Sequence, residues 1–119
     1  TQNNAEFPEL IFKKKTYDFG TVYSGKVVKH KYSFKNTGQK PLVIQDATAS
    51  CGCTVPEWPE DPVAPGDSAS IYVEFNSENR HGTQNKSITI TANTYPSTTV
   101  LNLKGEVNQG QPAEGPVAQ

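Results

Sequence analysis

The 119-residue chain contains no methionine, one tryptophan, two cysteines and two histidines. Each scarcity excludes something. Cys51 and Cys53 are separated only by Gly52, so the disulfide that joins two distant strands of an immunoglobulin domain is excluded. Two histidines and no methionine leave few ligands for a metal, and a zinc site would want four. No apolar run approaches the roughly 20 residues of a membrane-spanning helix. No segment places apolar residues at i, i+3, i+4 and i+7 over even three turns, so amphipathic helices are not expected. A Gly-rich phosphate loop and a Ser/His/Asp constellation are also missing. Without an evident base–nucleophile pair, no enzyme is expected and no catalytic residue is named.

Apolar residues are scarce too, at 34% of the chain, below the globular norm. The shortfall concentrates at the ends. Residues 108–119, "NQGQPAEGPVAQ", have almost nothing to bury and are expected to form a disordered tail. Residues 1–9 read as a flexible segment, although Phe7 could dock. One domain is expected over 10–107. No signal peptide is visible, and a chain that opens on Thr1 instead of Met is expected to be processed or trimmed. Net charge is −1, with eight lysines before residue 41 and nine acids after it. Such asymmetry can mark an anionic partner. No aromatic-plus-arginine motif accompanies it, so nucleic acid is not expected.

What the chain does have is alternation. In "VVKHKYSFKN" (27–36), Val28, His30, Tyr32 and Phe34 share one face and the lysines share the other. Residues 69–76, 86–93 and 99–107 alternate in the same way, and 41–47 reads as a further strand. Residues 10–15 and 17–22 make a split first strand. Turn residues separate the runs at 36–41, 64–67, 79–85 and 94–97, with "APGD" matching a type II turn. The prolines of "VPEWPEDPVAP" (55–65) argue against ladder pairing through most of that stretch. About seven short strands with regular turns predict an all-β fold, an immunoglobulin-like antiparallel β-sandwich.

Four segments, "YDFGTVYSG" (17–25), "KYSFKNTGQKPLVI" (31–44), "SCGCTVPEWPEDPVAPGDS" (50–68) and "VEFNSENRHGTQNKSITITAN" (73–93), resemble the bacterial domain-of-unknown-function family 1573 in order and spacing. The resemblance spans about residues 10–107. It implies an immunoglobulin-like sandwich related to the hydin-type and major-sperm-protein-like modules. It also implies export to the periplasm or cell surface, and it implies no activity.

The most specific element is "SCGCT", and its two cysteines admit three readings. Cα atoms two residues apart in an extended strand lie about 6.6 Å apart, near the outer limit for a disulfide. Positive φ at Gly52 would tighten the bend enough for a small ring, strained and readily reduced. Alternatively, two thiolates on one side of a bend suit a soft ion such as Cu(I). Thirdly, the cysteines are small hydrophobes in a hinge. A thioredoxin-type motif has two intervening residues and opens a helix, and neither holds here. Trp58 either caps the end of the sandwich or offers an aromatic contact to a partner. His30 reads as a core histidine and His81 as a solvated loop residue. The expectation is therefore a non-catalytic module without a cofactor that binds a protein or envelope component, with Cys51, Cys53 and Trp58 as candidate contacts. The competing expectation is a periplasmic copper-handling or thiol-redox protein that uses Cys51 and Cys53.

Overall fold

The structure is a computed structural model and describes residues 7–109. Residues 110–119 of the expected tail and residues 1–6 of the N-terminal segment lie outside these residues, whereas Asn108, expected to open the tail, still belongs to the last strand. Residues 7–9 are held against the domain. The Glu9 amide donates to Asn36 Oδ1 at 3.1 Å, and the Glu9 carbonyl accepts from the Thr37 amide at 3.2 Å.

Eight strands follow in order: β1 (Leu10–Phe12), β2 (Thr16–Tyr23), β3 (Val27–Asn36), β4 (Ile44–Ala49), β5 (Thr54–Glu57), β6 (Ser68–Asn76), β7 (Gly82–Ala92) and β8 (Thr98–Asn108). They form two four-stranded sheets, ordered β1-β3-β6-β5 and β2-β8-β7-β4. All pairs are antiparallel except β2 with β8, which run parallel. The expected split first strand is thus two strands in two sheets, and the chain changes sheet at residues 13–15. It also changes sheet between β2 and β3, between β3 and β4, at residues 50–53 between β4 and β5, and between β6 and β7. The crossings at 13–15 and 50–53 each join two edge strands.

The alternation reads through to burial. Val28, Tyr32 and Phe34 of β3 face Ile88, Ile90, Leu101 and Leu103 of the opposite sheet in one apolar cluster, with Ile71, Val73 and Phe75 from β6. The Tyr32 hydroxyl crosses between the sheets and donates to the Asn102 carbonyl at 2.6 Å, which satisfies its polar tip within the core.

Three expected boundaries shift. The fourth strand lies at 44–49 instead of 41–47, because Leu42 instead bridges Val63. β7 begins at Gly82, not Lys86, because the turn closes earlier, on Asn79. The eighth strand, β5, carries Pro56 inside the stretch read as unable to pair. The Cys53 carbonyl accepts from Asn76 of β6 at 2.9 Å, so residues 53, 55 and 57 turn their backbones to β6. Pro56 then faces away from the sheet, where a missing N–H forfeits no ladder bond.

Asn36 and Ser77, both fully buried, tie the loops together. Asn36 Nδ2 donates to the Lys40 and Val63 carbonyls at 2.8 and 2.9 Å, and its Oδ1 also accepts from the Gly38 amide at 3.0 Å. A Cβ at Gly38 would come within 2.7 Å of backbone atoms of Phe7, Pro8 and Glu9. The "FKNTG" run is therefore a backbone junction. At the other end, Ser77 Oγ donates to the Lys26 carbonyl at 2.7 Å and accepts from the Gly25 amide at 3.1 Å.

Candidate functional site

Cys51 and Cys53 occupy the crossing from β4 to β5 and are joined as a disulfide. Their Cα atoms are 5.3 Å apart, well inside the extended spacing, so the chain bends here. The bend is not made by Gly52 as expected, for its φ is not positive and a Cβ there would meet open space. Hydrogen bonds hold it instead. The Thr54 amide donates to the Cys51 carbonyl at 3.3 Å, closing a turn. The Cys53 amide donates to Cys51 Sγ at 3.3 Å. Thr54 is buried beneath, with Oγ1 at 3.8 Å from Cys51 Sγ and 3.6 Å from Cys53 Sγ. Both cysteines are half-buried, and Cys53 packs on the core. A bonded pair offers no thiolate, the form a soft ion requires, so a copper site would belong to the reduced chain. Among the described residues, no three His, Cys, Asp or Glu side chains converge on a common point.

Trp58 follows directly on β5. It is half-buried and packs against the apolar core, as a cap would. One side of it lines a surface hollow of 450 Å³ together with Glu57, Pro59, Ser70 and Tyr72. A second hollow, of 390 Å³, shares Glu57 and Tyr72 and adds Lys29, Lys31, Val55 and Glu74. A third, of 550 Å³, shares Val55 and Glu74 and ends on Gly52, Cys53, Asn76 and Arg80. The shared walls make one trough along the outer seam of β5 and β6. Two of the three candidate contacts, Cys53 and Trp58, lie at its two ends. Cys51 does not line it.

The trough has an apolar floor that the candidate list missed. Tyr72 and Val55 are each 54% exposed and face outward from adjacent strands. The signal was present in the sequence: Tyr72 is the aromatic residue on the polar face of "ASIYVEFN". Charge flanks the floor on the β3 side. Lys31 pairs across to Tyr72, and Lys29 meets Glu74 at 3.7 Å. That exposed ion pair contributes little to stability, so its charges remain available to a partner.

Of the histidines, His30 borders the 390 Å³ hollow and His81 lines none of the three. His30 is half-buried on the inner side of β3, stacked on Tyr17 with ring centroids 3.7 Å apart and edge-on to Tyr32 at 4.6 Å. Burial holds its pKa below the usual histidine value. His81 is exposed in the β6–β7 turn, as read. Lys86 is half-buried on β7, with Nζ 6.0 Å from the Phe75 ring centroid. Burial, then the Arg80 charge, lowers its pKa.

Residues 10–107 match the model of a family described as protein of unknown function, DUF1573, and the chain belongs to that family. No curated protein matches it. A crystal structure of a protein of unknown function from Porphyromonas gingivalis W83 is similar at 16% identity and a TM-score of 0.74, with 89% of this chain covered. The chain spans only 50% of that protein. The PapD-like domain 7 of human CEP192 is similar at 10% identity and a TM-score of 0.71, with 93% and 92% of the two chains covered. The YadV chaperone is similar at 10% identity and a TM-score of 0.56, over 90% of this chain and 55% of that one. Longer matching chains include a secreted serine protease and a second protease from Vibrio cholerae and two glycoside hydrolases, of which this chain covers less than a third. At these identities the likeness establishes the sandwich fold alone. Among the described residues, no helix is long and apolar enough to cross a membrane.

Proposed function

We propose that this member of the family is a non-catalytic binding module of the bacterial periplasm or cell surface, and that it holds an extended segment of a partner protein along the β5–β6 trough. The carrying observation is the trough's continuity from Cys53 to Trp58 over the exposed Tyr72 and Val55. At about 3.3 Å per residue, that length accommodates roughly six residues of extended polypeptide. An exposed aromatic floor with a charged rim is the composition of a recognition surface. The presence of chaperones among proteins of like fold is consistent with protein binding.

The test is recovery of a partner from an envelope fraction by wild-type chain and by Tyr72→Ala with Val55→Ser. The expected result is a protein retained by the wild type and lost from the double variant. Equal recovery by both, or none by either, defeats the proposal.

A further inference from the structure

The disulfide is not symmetric. Cys53 lines the trough beside Val55, Asn76 and Arg80, and Cys51 does not. The sulfur of Cys51, in contrast, receives the Cys53 amide N–H at 3.3 Å. Thr54 Oγ1 lies near both sulfurs, at 3.8 and 3.6 Å, beneath the surface. Cys53 is therefore the member of the pair that borders the trough, and the Cys51 sulfur is the one that receives a backbone donor for negative charge.

We propose that Cys51–Cys53 is a directional electron acceptor for an external dithiol, attacked at Cys53 Sγ with Cys51 Sγ as the leaving group. A donor thiolate enters along the trough and bonds to Cys53 Sγ as the Cys51–Cys53 bond breaks. The electron pair of that bond departs on Cys51, whose thiolate is met by the Cys53 amide and the Thr54 hydroxyl. A stabilised thiolate leaves faster. Cys51 then takes a proton from solvent. The donor's second thiolate attacks the donor sulfur of the mixed disulfide and closes the donor's own disulfide, and Cys53 leaves as a thiolate and is protonated. The chain gains two electrons and two protons, and the dithiol loses both. No helix terminus is needed, since a single backbone N–H and a buried hydroxyl do the stabilising. This site stands independently of the partner-binding reading, which needs no redox step.

The test uses the full chain in its oxidised form with glutathione as the monothiol probe, whose mixed disulfide is trapped before a second thiolate resolves it. After rapid acid quench and alkylation, peptide mass spectrometry locates the adduct. The expected result is glutathione on Cys53 and alkyl on Cys51, by about tenfold or more over the reverse. A second measurement follows reduction by dithiothreitol. Thr54→Val slows it several-fold and Thr54→Ser restores it. Adducts equally shared or favouring Cys51 overturn the assignment, as does a disulfide inert to both reagents in the folded chain. If Thr54→Val does not fold, the adduct position in the wild type still decides.

Discussion

Asn36 Nδ2 donates to the carbonyl of Val63, 27 residues away, at 2.9 Å. The same side chain bonds to Glu9, Gly38 and Lys40, so one carboxamide fixes three separate segments at the end of the sandwich. Asn36→Ala would leave buried backbone groups without partners, each worth about 1–3 kcal/mol. Partial access to water lowers the total to about 2–4 kcal/mol. Urea denaturation of the two proteins measures it, and a loss under about 1 kcal/mol would contradict the junction role.

His30 makes stability depend on pH. Its folded-state pKa is lowered from 6.5 by burial, so the folded state disfavours the charged ring. The contribution is complete above pH 6.5 and declines as pH falls from 6.5 through the lowered folded value. Denaturation midpoints at pH 7.5 and pH 5 should therefore differ more for the wild type than for His30→Gln. An equal pH dependence in the two proteins would remove His30 as the cause.

Tyr32 behaves oppositely at high pH. Burial, then the charge of Tyr17, pushes its pKa up to about 12. A raised phenol stabilises the fold below its unfolded value of 10.0, and that stability is lost as pH rises through about 12. Ultraviolet titration should show a late tyrosinate step that Tyr32→Phe deletes. Loss of the bond to Asn102 should also destabilise that variant by about 0.5–1.5 kcal/mol.

Two glycines should respond with opposite sign. Gly52→Ala meets open space at an ordinary φ and should be neutral or stabilising by up to about 1 kcal/mol, through the unfolded chain. Gly38→Ala drives a methyl into backbone 2.7 Å away and should lower stability by about 1–3 kcal/mol. Thermal or urea midpoints separate them. A destabilised Gly52→Ala would mean that the crossing needs glycine after all.

The sequence makes the sandwich legible because strand burial has a period of two. Val28, Tyr32 and Phe34 announce their face without any knowledge of their partners. β5 escaped because Pro56 is a valid argument against a central strand and a poor one against an edge strand, and edge position depends on pairing. The exchange of sheets at residues 13–15 and 50–53 escaped for the same reason. The candidate site was half legible. Cys53 and Trp58 stand out as rare residues, whereas Tyr72, Val55 and Lys31 become neighbours only when β3, β5 and β6 align. A lone glycine between two cysteines suggests a bend made by glycine's freedom, whereas the Thr54 and Cys53 amides hold it.

The parallel pairing of β2 and β8 has a mechanical consequence. β2 enters this pair beside Asn102 and leaves it beside Asn108, so residue 16 and residue 108 lie at opposite ends of it. Tension applied to the two ends of the domain would pull these strands past each other lengthwise. The backbone bonds between them would then be loaded together instead of being peeled one at a time. A domain wired in this way should resist stretching along this direction better than one whose terminal strands peel apart.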